Sequence, residues 1–401
     1  MQFKKILGLT LFTLYFNLFS VCQSFTFQKV INTKVKKSSS EYKKPITSFS
    51  NNKLYFVDFA SNNIDEVFNS DSVIKIYRFN TTKNKTDSLR LSFKYNGFDL
   101  EYTGGWFTNF YVSWGEKYIF INNHTNIIVL KKKSSGEYRL YKKIARRYYY
   151  QEIKQLSNED FLFLFCYNSH PLNQKEKVVL SIYNIHSDTV SKSIFPHFDG
   201  IAYSSLIHNW IEVIDKKIIL SNTLDYKIKV YDMNLKLTDS LIRIIPSWTK
   251  YENEKTSTHN TKQIIENIYE SDQTNYRIEK IIPYNKASFI VSYKTGLKKD
   301  VRQIDFVKIE NKSLVVSDSN IKISTIELAV VKDTIKTDSR PFPELIYSND
   351  IYSNGKYIYV ILSEFCPYQI NETYGSMIKK CDSYAKENVI NWGVLVFKYI
   401  K

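Results

Sequence analysis

Residues 211–244 read IEVIDKKIILSNTLDYKIKVYDMNLKLTDSLIRI, and they divide into four short apolar runs parted by turn residues. The runs are Ile211 to Ile214, Lys217 to Ser221, Lys227 to Tyr231 and Asp239 to Ile244; the breaks fall at Asp215-Lys216, Asn222-Thr223 and Asp232 to Asn234. Runs this short, rich in Ile, Val and Tyr and closed by Asp, Asn and Ser, are strands joined by tight turns. Four in succession make one antiparallel blade, and a blade has two apolar faces that only neighbouring blades can cover.

The same grammar recurs, as a search for internal repeats requires. Paired apolar strands appear at 53–59 with 72–79, 117–123 with 126–132, 160–168 with 177–184, 216–222 with 226–232, 286–294 with 303–310, and 356–364 with 392–400. Each pair is preceded by an innermost strand: PITSFS, FYVSW, QEIKQL, IEVI, RIEKII and PELIYS. The first five are followed by an outermost one: DSLRLSFK, EYRLYKK, DTVSKSIF, DSLIRI and KSLVVSD. Blade six runs out of chain, and FTFQKVINTKV (25–35) supplies the missing strand by pairing beside Trp392 to Ile400. The expectation is an all-β, six-bladed β-propeller closed by the N-terminal strand, one domain over 25–401.

Composition agrees. The chain has 401 residues, 43% hydrophobic and 24% charged, with 31 Tyr and 26 Phe against 11 Gly and 8 Pro, a balance that favours pleated, half-buried strands over helix or disorder. Only Lys262 to Ser271 has helical spacing. Connections between first and second and between third and fourth strands are short, whereas the other two classes hold the long insertions, such as Ile245 to Asn275 and Asn320 to Phe342. In a propeller those two classes leave the same face, where binding concentrates.

Residues 1–24 carry Lys4 and Lys5, the apolar run Ile6 to Phe19, and then small or polar residues, the layout of a secretory signal peptide too short to span a bilayer comfortably. The expected location is exported: periplasmic, cell-surface or extracellular, with any membrane link made through an N-terminal anchor at Cys22. Export permits disulfides, and Cys366 with Cys381 would close a loop worth roughly 3 kcal/mol. Cys166 reads as a buried small hydrophobe. The formal charge of +16 favours acidic partners. Export argues against nucleic acid, and a monomer is expected.

Motifs such as KIKVYDMNLK and Asp-Ser-Leu at strand starts give the chain a resemblance to the secreted six-bladed β-propeller proteins. That family includes metal-dependent lactonases and hydrolases as well as pure binding modules, so the resemblance implies the fold and leaves both functions open.

Among linear motifs, the six histidines fall at no zinc spacing, and there is no G-x-S-x-G, P-loop or dinucleotide fingerprint. Lys131 to Tyr150 holds eight basic residues, one glutamate and five tyrosines. It reads either as a stripe for anionic polymers centred on Arg146, Arg147 and Tyr148, or as an outer strand whose lysines discourage aggregation. Trp106, Trp210 and Trp248 fall in the long-loop class and can stack on sugars or grip a peptide, or plug the core between loops. Asp-Ser/Thr-apolar triplets at Asp71, Asp87, Asp188, Asp239 and Asp333 resemble bacterial O-glycosylation sites and equally suit turn-to-strand chemistry. Finally, Glu152, Glu212, Glu279 and Glu344 fall in the innermost strands of blades three to six. If they point inward they form an acidic arc, which needs a divalent cation, a cationic ligand group, or lysines and waters as its counter-charge. The leading expectation is a recognition or scaffold module for a glycan or peptide-like ligand; the alternative is a lactonase-like hydrolase with a cation in the channel.

Overall fold

The computed structural model describes residues 24–36, 46–57, 74–91, 109–122, 126–145, 149–167, 177–196, 209–222, 226–245, 277–294, 302–310, 313–322, 351–365 and 391–400. These form six four-stranded antiparallel blades in a ring. The N-terminal strand is β1, Ser24–Lys36. Blade 1 is β2 (Ile46–Ser50), β3 (Lys53–Val57), β4 (Ile74–Asn80) and β5 (Lys85–Leu91). Blade 2 is β6 (Asn109–Val112), β7 (Tyr118–Asn122), β8 (Asn126–Lys132) and β9 (Tyr138–Ala145). Blade 3 is β10 (Tyr149–Gln155), β11 (Asp160–Tyr167), β12 (Lys177–Asn184) and β13 (Thr189–Ile194). Blade 4 is β14 (Asn209–Ile214), β15 (Lys217–Asn222), β16 (Lys227–Tyr231) and β17 (Leu237–Ile242). Blade 5 is β18 (Arg277–Asn285), β19 (Ser288–Lys294), β20 (Arg302–Glu310) and β21 (Ser313–Lys322). Blade 6 is β22 (Ile351–Ser353), β23 (Tyr357–Phe365) and β24 (Asn391–Ile400), completed by β1. A parallel bridge, Leu91 to Tyr138, ties the outer strands of blades 1 and 2.

Stacking decides which residues these strands use. Central strands are covered on both faces and are therefore continuously apolar, as in YIFIN (118–122), buried throughout. The outermost β13, TVSKSI, is exposed along nearly its whole length. The core is accordingly six apolar clusters, one per blade interface. Tyr55 and Ile119 lie between blades 1 and 2, Phe120 and Phe163 between 2 and 3, and Leu164 and Leu220 between 3 and 4. Ile219 and Val291 lie between 4 and 5, Ile290 and Ile358 between 5 and 6, and Leu54 and Val396 between 6 and 1.

Tight turns set the register. Asn51 and Asn52 (φ 49° and 59°) and Asp215 and Lys216 (φ 47° and 58°) form two-residue hairpins with both central residues left-handed. Gly355 has φ +85°, and a Cβ there would lie 2.7 Å from the carbonyl oxygen of Tyr284 in blade 5, so only glycine fits this contact between blades 5 and 6.

The ring closes as the sequence indicates. β1 pairs antiparallel with β24 from Ser24 opposite Ile400 to Asn32 opposite Gly393, and Ile31 joins the cluster between blades 6 and 1. One strand differs from expectation: the innermost strand of blade 6 is Ile351–Ser353, downstream of PELIYS, which lies outside the described residues. So does the helical stretch Lys262 to Ser271.

Two blade interfaces are also clamped by a carboxylate. Glu116 sits in a 3-10 turn after β6 with φ 59° and is 5% exposed. It accepts hydrogen bonds from Lys53 Nζ (2.7 Å), Tyr55 Oη (3.0 Å) and Arg78 Nη1, while its own carbonyl accepts the Tyr138 hydroxyl (2.6 Å). Burial alone would raise this carboxyl; the bonds from Lys53, Arg78 and Tyr55 outweigh it and hold the pKa at about 2. Asp305, fully buried between blades 4 and 5, accepts Tyr226 Oη (2.6 Å) and Arg243 in the same manner.

Deleting residues 24–36 should bare the edge of β24 and remove Ile31 from its cluster, costing more than about 3 kcal/mol and promoting aggregation. Equal melting of the full and truncated chains would show that β1 does not hold the ring. Glu116 carries a pH signature. Its pKa is depressed from 4.5 to about 2, so its contribution is full above pH 4.5 and drains away as the pH falls toward 2, a loss of about 3 kcal/mol. Thermal melts from pH 5 to pH 2 should show this slope, and Glu116→Gln should flatten it while melting lower at pH 7.

Candidate functional site

The innermost strands β2, β6, β10, β14, β18 and β22 surround the axis. Strand alternation puts residues i and i+2 on one face, so Glu152 and Lys154 of β10 share the face turned toward blade 4, as do their cross-strand partners Leu164 and Leu162. Lys154 Nζ donates to Glu212 Oε1 of β14 at 2.6 Å. The Ile211 backbone N–H donates to Glu152 Oε2 at 2.7 Å, which ties the inner strands of blades 3 and 4. Lys280 of β18 places Nζ 3.9 Å from the centroid of the Tyr352 ring in β22, and Phe49 of β2 stacks on that ring at 5.6 Å. The charge of Lys280 also favours the ionised form of Glu152, although the two lie on inner strands of blades 5 and 3. On the other side Tyr111 Oη of β6 accepts the Gln155 N–H at 3.1 Å. Among the described residues, the ionic side chains of the inner strands belong to blades 3 to 5, and aromatic ones to blades 6, 1 and 2.

Burial raises the pKa of Glu152 and of Glu212, against the pull of Lys154 and Lys280. For Lys154 burial lowers the pKa, but Glu212 and Glu152 overcome it and the net shift is upward, so this ammonium stays charged. Tyr111 is pushed up to about 12 by burial, with Lys154 opposing.

Of the four glutamates proposed as an acidic arc, Glu152 and Glu212 come together here. Glu279 is in β18, where the pairing with β19 slips between Ile278 and Lys280; its side chain is outside the described residues, and Glu344 is outside them altogether. Lysines are among the counter-charges expected from the sequence; the particular ones, Lys154 and Lys280, are not named there, although QEIKQL contains its own signal in an acid and a base two residues apart. Among the described residues no group of three or more His, Cys, Asp or Glu is arranged to hold a metal.

Trp210, expected in a long loop, belongs to β14 and is 6% exposed in the core between blades 4 and 5. The alternation of β14 turns it into that core together with Ile214. Trp106, Trp248, Arg146, Arg147, Tyr148, Cys366 and Cys381 lie outside the described residues. Within the described part of the basic stripe, Lys131, Lys132 and Lys142 are engaged by their own blade or by blade 3 beside it. Lys131 Nζ is 4.7 Å from the Tyr141 ring centroid, Lys132 Nζ is 3.6 Å from Glu116, and Lys142 Nζ donates to the Ile185 carbonyl at 2.8 Å. The described triplet aspartates have partners too: Asp87 pairs with Arg78 and Asp188 accepts the Tyr183 hydroxyl within their own blades, and Asp239 accepts the Leu314 N–H of blade 5 at 2.8 Å; Asp71 and Asp333 lie outside the described residues.

No protein-family model matches the sequence, and no curated protein matches it. Solved structures do match in fold. A member of the DUF4221 family from Bacteroides vulgatus aligns with TM-score 0.53 at 10% identity, over 95% of this chain and 99% of that one. A luciferin-regenerating enzyme aligns with TM-score 0.41 at 12% identity, over 93% and 97%. The periplasmic gluconolactonase of Pseudomonas aeruginosa gives 0.40 at 11%, over 79% and 80%. At these identities the likeness is one of fold.

Lys154→Met should leave Glu152 and Glu212 without the ammonium beside them and raise both carboxyls further. An acid whose folded pKa is raised opposes folding above that pKa and ceases to do so as the pH falls toward the unfolded value near 4.5. The variant should therefore be destabilised by roughly 3 kcal/mol at pH 7.5 and by clearly less at pH 5. An equal deficit at both would mean that the carboxylates do not sense Lys154.

Proposed function

We propose that this protein is an exported recognition module that binds a glycan or peptide-like ligand over the face from which its long connections leave. The observation that carries this reading is the division of the connections. Those between first and second strands are short turns, at 51–52, 113–117, 156–159, 215–216, 286–287 and 354–356, and those between third and fourth strands are likewise short. The chain between β17 and β18, between β21 and β22, and between β23 and β24 is far longer. Antiparallel pairing makes all of these long segments depart from one face, so one side of a rigid ring is elaborated and the other is not.

The axial chemistry supports binding over hydrolysis. A hydrolase with a cation in the channel turns carboxylates to the metal; here Lys154 holds Glu212 at 2.6 Å, and the charge of Lys280 reaches both Glu152 and Glu212. Export rests on the layout of residues 1–24. The engagement of Lys131, Lys132 and Lys142 supports the edge-protecting reading of the basic stripe over a polymer track.

Glycan arrays and peptide libraries probed with the full chain should show retention without turnover of the bound species. Hydrolysis of a lactone or ester panel that is abolished by chelation would replace this reading with the enzymatic one.

A further inference from the structure

We propose that the axial ion set is the seat for a neutral sugar residue at the end of a bound glycan. This rests on the glycan form of the recognition reading and goes further, because it names the residues and the class of sugar.

The first ground is charge balance. Glu152 and Glu212 face Lys154 and Lys280, two against two among the described residues. A ligand with a net charge meets attraction from one pair and repulsion from the other. A neutral ligand bearing hydroxyls meets acceptors and donors side by side and can use both.

The second ground is unused hydrogen-bonding capacity at two adjacent groups. One oxygen of Glu152 takes the Ile211 N–H at 2.7 Å, and among the described residues no donor reaches the other. Lys154 spends one of its three protons on Glu212 and has no other acceptor among them, with 21% of its side chain exposed. An open acceptor beside an open donor is the pattern that a vicinal diol satisfies.

The third ground is a buried hydroxyl without a partner. Ser292 is 0% exposed, its Oγ has no hydrogen bond, and it stands directly across the strand pair from Lys280 on the same face. Buried hydroxyls ordinarily find a partner, so Ser292 holds hydrogen-bonding capacity in reserve.

Depth fits the class. Glu152 and Glu212 are each the fourth residue of a strand that starts at the long-loop face. At the strand rise they lie about 10 Å below that rim, the length of one or two pyranose rings. The tip of a chain bound on the face can reach them, and the body of a polymer cannot.

The test is calorimetric titration of the full chain with glucose, galactose, mannose and N-acetylglucosamine, and with glucuronate and glucosamine as charged relatives. At least one neutral sugar should bind, with its charged relative at least tenfold weaker. Glu152→Gln keeps an acceptor for the Ile211 N–H and should melt within a few degrees of the unsubstituted protein, yet bind at least tenfold more weakly. Ser292→Ala, which removes a hydroxyl that no neighbour uses, should weaken binding about threefold and serves as the second variant should Glu152→Gln fail to fold. Unchanged affinity in these variants, or equal binding of a charged relative, overturns the proposal. If a glycan array is positive while every monosaccharide and axial variant is silent, the axial site falls and the recognition reading stands. If the array is blank as well, the glycan form of that reading falls with it.

Discussion

A four-stranded blade cannot bury itself. Its two central strands are apolar on both faces, so each is stable only when flanked, and the last blade must find the first. In this chain that condition is met by β1, which pairs with β24 along most of its length and contributes Ile31 to the cluster between blades 6 and 1. The six apolar clusters, one per interface, are thus a single closed cycle, and the two ends of the chain share one sheet. Every other feature, including the geometry of the axis, is set by that closure, because the inner strands are only as well placed as the ring that holds them.

Ionic groups do two different things within this frame. Glu116 and Asp305 each join tyrosine hydroxyls and an arginine from neighbouring blades, and these pairs are well satisfied. Four donors converge on the side chain of Glu116 within 3.6 Å, which explains why its pKa falls although burial opposes it. At the axis the balance goes the other way. Glu152 and Glu212 are raised because burial is not fully answered by Lys154 and Lys280. A carboxylate that is completely bonded is a clamp; one with an oxygen left over has capacity for something else.

The architecture was legible because the signal is local and repeated. Short apolar runs, turn residues such as Asn51-Asn52 and Asp215-Lys216, and a strand to spare at the N-terminus determine blade number and closure without any long-range knowledge. What escaped was of two kinds. The innermost strand of blade 6 is only three residues long, too short for a periodicity to register, and an apolar stretch upstream outweighed it. Trp210 was assigned by loop length, yet it is the second residue of β14 and packs inward, since an indole supplies more buried area than an edge position can leave in water.

The axis shows why residue type alone misleads. Four glutamates at similar strand positions read as an acidic arc, because the sequence indicates sign and place but not facing. Alternation brings Lys154 to the same face as Glu152, and closing the ring brings in Lys280 of blade 5, whose charge favours the ionised form of Glu152. Each lysine is remote in sequence from at least one of the acids it answers, so the neutral balance exists only once the ring is closed. A basic protein with formal charge +16 thus has, among its described residues, an axis with no net charge. Under the proposed reading that difference gives surface and channel different preferences: charge would govern approach to the outside, and matched donors and acceptors what fits within.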